Sequence, residues 1–162
     1  MMPNLCTAAN LLLGVSAITT VINYNFPLSA ALIVLAAILD RADGIVARRY
    51  NAASAFGKEF DSLADLVSFG VAPAALLYSS ALVHHLSIPG LLCFLLFTLC
   101  GALRLARFNV APSTTFFLGI PITIAGAMLA ILVLIVPSTP VALVLSIILA
   151  LLMVSNVRIP KF

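Results

Sequence analysis

The sequence predicts an all-α, polytopic membrane protein: one domain over residues 1–162, six transmembrane helices, and both termini cytoplasmic. Three observations predict it. The chain is 64% hydrophobic and only 8% charged, where a soluble domain carries about 25% charged residues. Six apolar runs match the roughly 20 residues that a spanning helix needs, and turn-forming residues separate them. The basic residues gather at one set of connections and are missing from the other.

The first run, 5–23, has no basic stretch before it and leads to Asn23-Tyr24-Asn25, not to a small-residue cleavage site. It is therefore expected to stay as a span and not to be removed as a signal peptide. The second, 27–49, opens at Pro27, and the third, 57–82, follows Asn51-Ala52-Ala53-Ser54. The fourth, 88–109, lies between His84-His85 and Pro112-Ser113. The fifth is 116–136, and Pro137-Ser138-Thr139-Pro140 separates it from the sixth, 140–157.

The eight basic residues are Arg41, Arg48, Arg49, Lys58, Arg104, Arg107, Arg158 and Lys161. All lie in the connections 49–57 and 109–116, in the C-terminal tail, or at adjacent helix ends, whereas the connections near 23–27, 83–87 and 137–140 contain none. Basic loops stay on the cytoplasmic side, so this asymmetry supports a count of six and puts the basic face in the cytoplasm, in a multi-pass protein of the cell membrane. Arg158 and Lys161 read as plain anchors. The net charge of +3 comes with no basic run interleaved with aromatics, so nucleic acid is not an expected partner. Cys6, Cys93 and Cys100 lack metal-ligand spacing and read as small packing residues. His84 and His85 fall on the opposite membrane face and read as a solvated turn.

The acidic residues carry the chemistry. There are five, Asp40, Asp43, Glu59, Asp61 and Asp65, all within 26 residues. A carboxylate at the bilayer centre costs about 3 kcal/mol on insertion scales, so four left unpaired would cost on the order of 10 kcal/mol. Interfacial depth, water and bound cations are the means of offsetting it. Asp40, Asp43, Gly44 and Ala47 recur at i, i+3, i+4 and i+7 on one helix face, and Gly57, Asp61, Asp65 and Ser68 at i, i+4, i+8 and i+11 on the next. A short connection makes the two helices antiparallel neighbours, so their carboxylates can meet near the cytoplasmic interface. Oxygen-only ligands favour Mg²⁺, Mn²⁺ or Ca²⁺, and four carboxylates can bridge two ions, an arrangement suited to phosphoryl transfer. Gly44 and Ala47 leave no bulk beside Asp40 and Asp43, which fits either close helix packing or the approach of a ligand.

The stretch from Asp40 to Asp65 reads D-x2-D-G-x2-A-R-x8-G-x3-D-x3-D, with all eight fixed positions present. It resembles the signature of the CDP-alcohol phosphotransferases. That resemblance implies two divalent cations, Mg²⁺ or Mn²⁺, held by Asp40, Asp43, Asp61 and Asp65, with Asp65 also the catalytic base. It implies that Asp43, Gly44, Ala47, Arg48 and Gly57 bind the CDP-lipid, that the site lies at the cytoplasmic interface, and that the protein is a homodimer. The flanking stretches Pro3-Asn4-Leu5-Cys6-Thr7 with Asn10, Phe60 to Pro73, Arg104-Leu105-Ala106-Arg107-Phe108-Asn109 and Phe117-Leu118-Gly119-Ile120-Pro121 resemble the serine-using branch, the small multi-span phosphatidylserine synthases. The implied reaction moves a phosphatidyl or archaetidyl group from CDP-diacylglycerol or CDP-archaeol to L-serine and releases CMP, in phospholipid biosynthesis.

An amino-acid acceptor carries a carboxylate that calls for a cation. Arg104 and Arg107 end the fourth span on the face of the aspartates, where they can bind that carboxylate or simply anchor the helix. Ser68 and Asn109 can add hydrogen bonds. Two other readings stay open on the sequence. The acceptor could be glycerol-3-phosphate or an inositol phosphate, either of which needs further cations. A cation transporter would also carry intramembrane aspartates, but it needs polar groups toward the far side, and spans one, five and six offer few.

Overall fold

The computed structural model describes residues 2–50, 54–82, 87–110, 116–136, 139–155 and 158–160, with the side chains at 2–4, 42–50, 81–82, 116–118 and 158–160 left out. His84, His85 and most of the expected turns lie outside the described residues. Among those described, six helical bodies follow one another. α1 is Met2–Ile22 and α2 is Phe26–Tyr50. α3 is a continuous helical run over 55–82, α4 is Ser87–Val110, α5 is Ile122–Ile135 and α6 is Thr139–Val154. The all-α bundle expected from the sequence is what forms.

Local chemistry sets the ends. The turn after α1 has Tyr24 at φ 58°, and the N–H of Leu28 donates to Asn25 Oδ1 at 3.3 Å as α2 begins. Ser54 caps α3, its Oγ accepting from the Gly57 N–H at 2.9 Å. α1, α3 and α4 are long and apolar enough to cross a membrane, over Leu5–Ile22, Ala55–Ser80 and Ser87–Val110. α2 has the length, 25 residues, but its C-terminal part, 40–50, carries Asp40, Arg41, Asp43, Arg48 and Arg49. α5 and α6, with 14 and 16 residues, are shorter apolar helices. The outer surface is apolar: Leu12, Ile22, Ile38, Leu92, Leu99, Leu134 and Leu151 are exposed. Such a belt is costly in water and natural in lipid.

Three details depart from the expected spans. α3 contains two π-helical segments, Leu66–Val71 and Tyr78–Leu82. Pro73 accounts for the first. It has no N–H to offer the carbonyl of Phe69, and its ring would strike that carbonyl in a regular α-helix; the wider turn relieves both. The fifth helix starts at Ile122, not at 116. Residues Phe116–Leu118 instead pair antiparallel with Arg158–Pro160, so the sixth helix also ends early, at Val154. Gly119, at φ +74°, turns the chain between that pair and α5, a left-handed conformation that favours glycine.

α3 is the centre of the bundle. α1, α2, α4 and α5 all pack against it, and Phe69, Ala72, Leu76 and Leu77 are buried there along with Phe97, Ile122 and Leu129. Small residues allow the closest approaches. A Cβ on Gly14 of α1 would stand 2.7 Å from Ser68 Cα, and one on Gly126 of α5 would stand 2.8 Å from Phe69 Cα. Both glycines thus press on the π-helical segment that directly follows Asp65.

Candidate metal centre

The two antiparallel helices α2 and α3 converge where the acidic residues lie. Asp40 comes from α2, and Asp61 and Asp65, one turn apart, come from α3. Carboxylate oxygens of the three lie within 4.8 Å of one another. Two full charges at that separation repel by about 3–4 kcal/mol at an effective dielectric of about 20. Asp65 is buried at 8% exposure and Asp40 is half-buried, so solvent screens Asp65 least. A set of three carboxylates with no sulfur or imidazole among them fits a hard divalent cation. Asp43 lies one turn beyond Asp40 on α2, but its side chain lies outside those described, as do those of Ala47 and Arg48 and the surroundings of Gly44. Gly57 is half-buried in the first turn of α3.

Neighbouring helices hold the carboxylates in place. Asn10 Nδ2 on α1 donates to Asp65 Oδ1 at 3.3 Å. Thr123 Oγ1, in the first turn of α5, donates to Asp40 Oδ2 at 3.2 Å. Four helices therefore contribute to one centre. Arg104 of α4 lies close enough to Asp65 for the two charges to act on each other. Its guanidinium carbon stands 5.8 Å from the Phe108 ring centre, and its Nε is buried with no hydrogen-bond partner among the described residues.

The other residues expected to meet the acceptor make their described bonds elsewhere. Ser68 is buried, and its Oγ donates to the main-chain carbonyl of Asn10 at 2.9 Å. Arg107 is exposed, and its Nη1 donates to the Val154 carbonyl at 3.2 Å. Asn109 Nδ2 donates to Ser62 Oγ at 2.9 Å and to Glu59 Oε2 at 3.3 Å, while the main-chain carbonyl of Asn109 accepts from Lys58 Nζ at 2.9 Å. These bonds fasten the start of α3 to the end of α4 and the end of α4 to that of α6. Sequence reasoning missed the parts played by Asn10 and Thr123. Asn10 is a polar residue within an apolar run and could have been flagged on that ground; Thr123 gave no signal.

Comparisons with known proteins point to one family. The family model described as CDP-alcohol phosphatidyltransferase matches residues 1–156. A CDP-diacylglycerol–serine O-phosphatidyltransferase of Helicobacter pylori is 40% identical over 171 residues, covering 99% of this chain and 72% of that protein. The protein of the same name in Bacillus subtilis is 41% identical over 162 residues, covering 99% of this chain and 90% of its own. Another of that name, in Methanocaldococcus jannaschii, is 42% identical over 134 residues, covering 83% of this chain and 64% of its own.

Proposed function

We propose, from the premise that this chain belongs to the CDP-alcohol phosphatidyltransferase family, that it transfers the phosphatidyl group of a CDP-lipid to the hydroxyl of L-serine and releases CMP. It is a membrane transferase of phospholipid synthesis. The observation that carries the reading is the convergence of Asp40, Asp61 and Asp65 within 4.8 Å across two neighbouring helices. Relatives about 40% identical over nearly the whole chain, named for the serine reaction, support serine as acceptor.

Asp40, Asp43, Asp61 and Asp65 would hold two divalent cations, Mg²⁺ or Mn²⁺. When bound, these supply neutralisation of the diphosphate charge. The residues of the chain do the rest. Asp43, Gly44, Ala47, Arg48 and Gly57 bind the cytidine and its phosphates where small side chains leave room. Asp65 takes the proton from the serine hydroxyl. The freed oxygen forms a bond to the lipid-side phosphorus as the bond from that phosphorus to the CMP oxygen breaks, in line. Arg104 is the first choice for the serine carboxylate, with Arg107, Ser68 and Asn109 behind it. Holding both reactants at the ends of packed helices gives positioning, and a buried, charged site gives electrostatic stabilisation.

The same reading places the site at the cytoplasmic interface of the cell membrane, with both termini cytoplasmic and the chain as a homodimer. The lipid tails, diacyl or isoprenoid, remain in the bilayer. The test is CMP release by purified protein with CDP-diacylglycerol and Mg²⁺ or Mn²⁺, offered serine, glycerol-3-phosphate or inositol phosphate in turn. Release only with serine is expected. Release only with a phosphorylated alcohol would overturn the choice of acceptor and leave the chemistry standing.

A further inference from the structure

Asn10 stands on α1, which brings none of the acidic residues, yet it is only 2% exposed and its Nδ2 donates to Asp65 Oδ1. It is held from two sides. Ser68 Oγ donates to its main-chain carbonyl, and Gly14, one turn further along the same face, lets α1 lie against the backbone of Ser68. The amide can face only one way. With Asp65 ionised, as its reading as the base requires, the carboxylate accepts and does not donate, so the NH₂ end points at Asp65 and the oxygen points away. That oxygen, Asn10 Oδ1, is buried and has no hydrogen-bond partner among the described residues. Asn109 Oδ1, on an amide that bonds Ser62 and Glu59 and not the acidic cluster, and the hydroxyls of Ser29 and Thr98 are open too, but a helical hydroxyl can turn to a carbonyl of its own helix. An amide oxygen pinned through its NH₂ cannot.

We infer that Asn10 is a positioning residue for the transfer: it fixes the orientation of the Asp65 carboxylate through Oδ1 and offers its own Oδ1 to the acceptor's ammonium group. The inference rests on the reading of Asp65 as the base. It also accounts for a polar side chain in the middle of an apolar run, where burial of an unpaired acceptor is costly unless a donor arrives.

The test uses the full chain in detergent with Asn10→Ala and the near-isosteric Asn10→Leu, which keeps the packing volume. Steady-state rates are measured against serine and against CDP-diacylglycerol, and Mn²⁺ binding is followed by electron paramagnetic resonance. The expected result is a 10–100-fold fall in kcat, the usual scale for losing an outer partner of a reactive group. The KM for serine should rise while the KM for CDP-diacylglycerol and Mn²⁺ binding stay within about twofold. Wild-type kcat and serine KM in both variants, with Asp65→Asn inactive, would overturn this inference alone. Equal damage to both KM values together with lost Mn²⁺ binding would also overturn it, because that pattern marks a merely structural role. Full turnover in Asp65→Asn would remove the base assignment and this inference with it.

Discussion

Two seams between helices bury polar atoms in different ways. Where α1, α2 and α5 meet α3, Asn10, Asp40, Asp65 and Thr123 bond across helices and converge on one centre. Within the bundle where α4 meets α6, Cys93 Sγ contacts Ser146 Oγ at 2.8 Å, and Ser146 Oγ also donates to the Leu143 carbonyl of its own helix at 2.7 Å. The second seam is closed on itself: the hydroxyl has a local acceptor and the thiol is satisfied by it. The first gathers like charge and leaves the oxygen of Asn10 open. The difference teaches that a buried polar group in this bundle need not signal chemistry. What signals it is like charge gathered beside an acceptor left open.

The comparison can be broken at either seam. The largest effect is expected for Asp65→Asn, which keeps the shape and removes the proton acceptor. Turnover should fall by about 10²–10⁴-fold while CDP-lipid binding, read by calorimetry, persists. Next comes Arg104→Ala, which should raise the apparent KM for serine by about tenfold, with a smaller change for CDP-lipid, by kinetics with each substrate varied. Arg107→Ala, whose guanidinium reaches Val154 instead, should do so less; the reverse order would move the acceptor site. Thr123→Val removes one hydrogen bond to Asp40 and should lower kcat/KM by about 3–10-fold, a loss of roughly one ordinary hydrogen bond. The smallest effect is expected at the closed seam. Ser146→Ala should leave turnover unchanged and cost about 0.6 kcal/mol of stability, the average for an interhelical hydrogen bond in membranes, measured by unfolding in detergent. A catalytic defect there would erase the contrast between the seams.

The aspartates were legible in the sequence because their spacing follows helix geometry on two helices joined by a short connection. Periodicity alone brings Asp61 above Asp65, and antiparallel neighbours bring Asp40 to both. Asn10 and Thr123 were not legible as supports, because their bonds cross 55 and 83 residues and depend on how α1 and α5 cross the central pair. The π-helical segment had a readable cause in Pro73, which sits inside an apolar run otherwise uniform enough to hide it. The late start of α5 was also written in the chain. Gly119 and Pro121 mark a helix beginning, but hydrophobicity carries no phase, and the Phe116–Leu118 stretch counts toward a span whether it is helix or strand. The membrane side of the termini rests on charge placement, which sets orientation during insertion and not the contacts within the bundle.

The close approach at Gly14 has a consequence for how this chain can vary over evolutionary time. Any larger residue there would wedge α1 away from α3 and, one turn earlier, lift the amide of Asn10 off its carboxylate. Position 14 faces no substrate and bears no functional group, yet the reaction constrains it as tightly as the residues that do. Tolerance to substitution along α1 should therefore follow distance from that amide more closely than it follows depth in the bilayer.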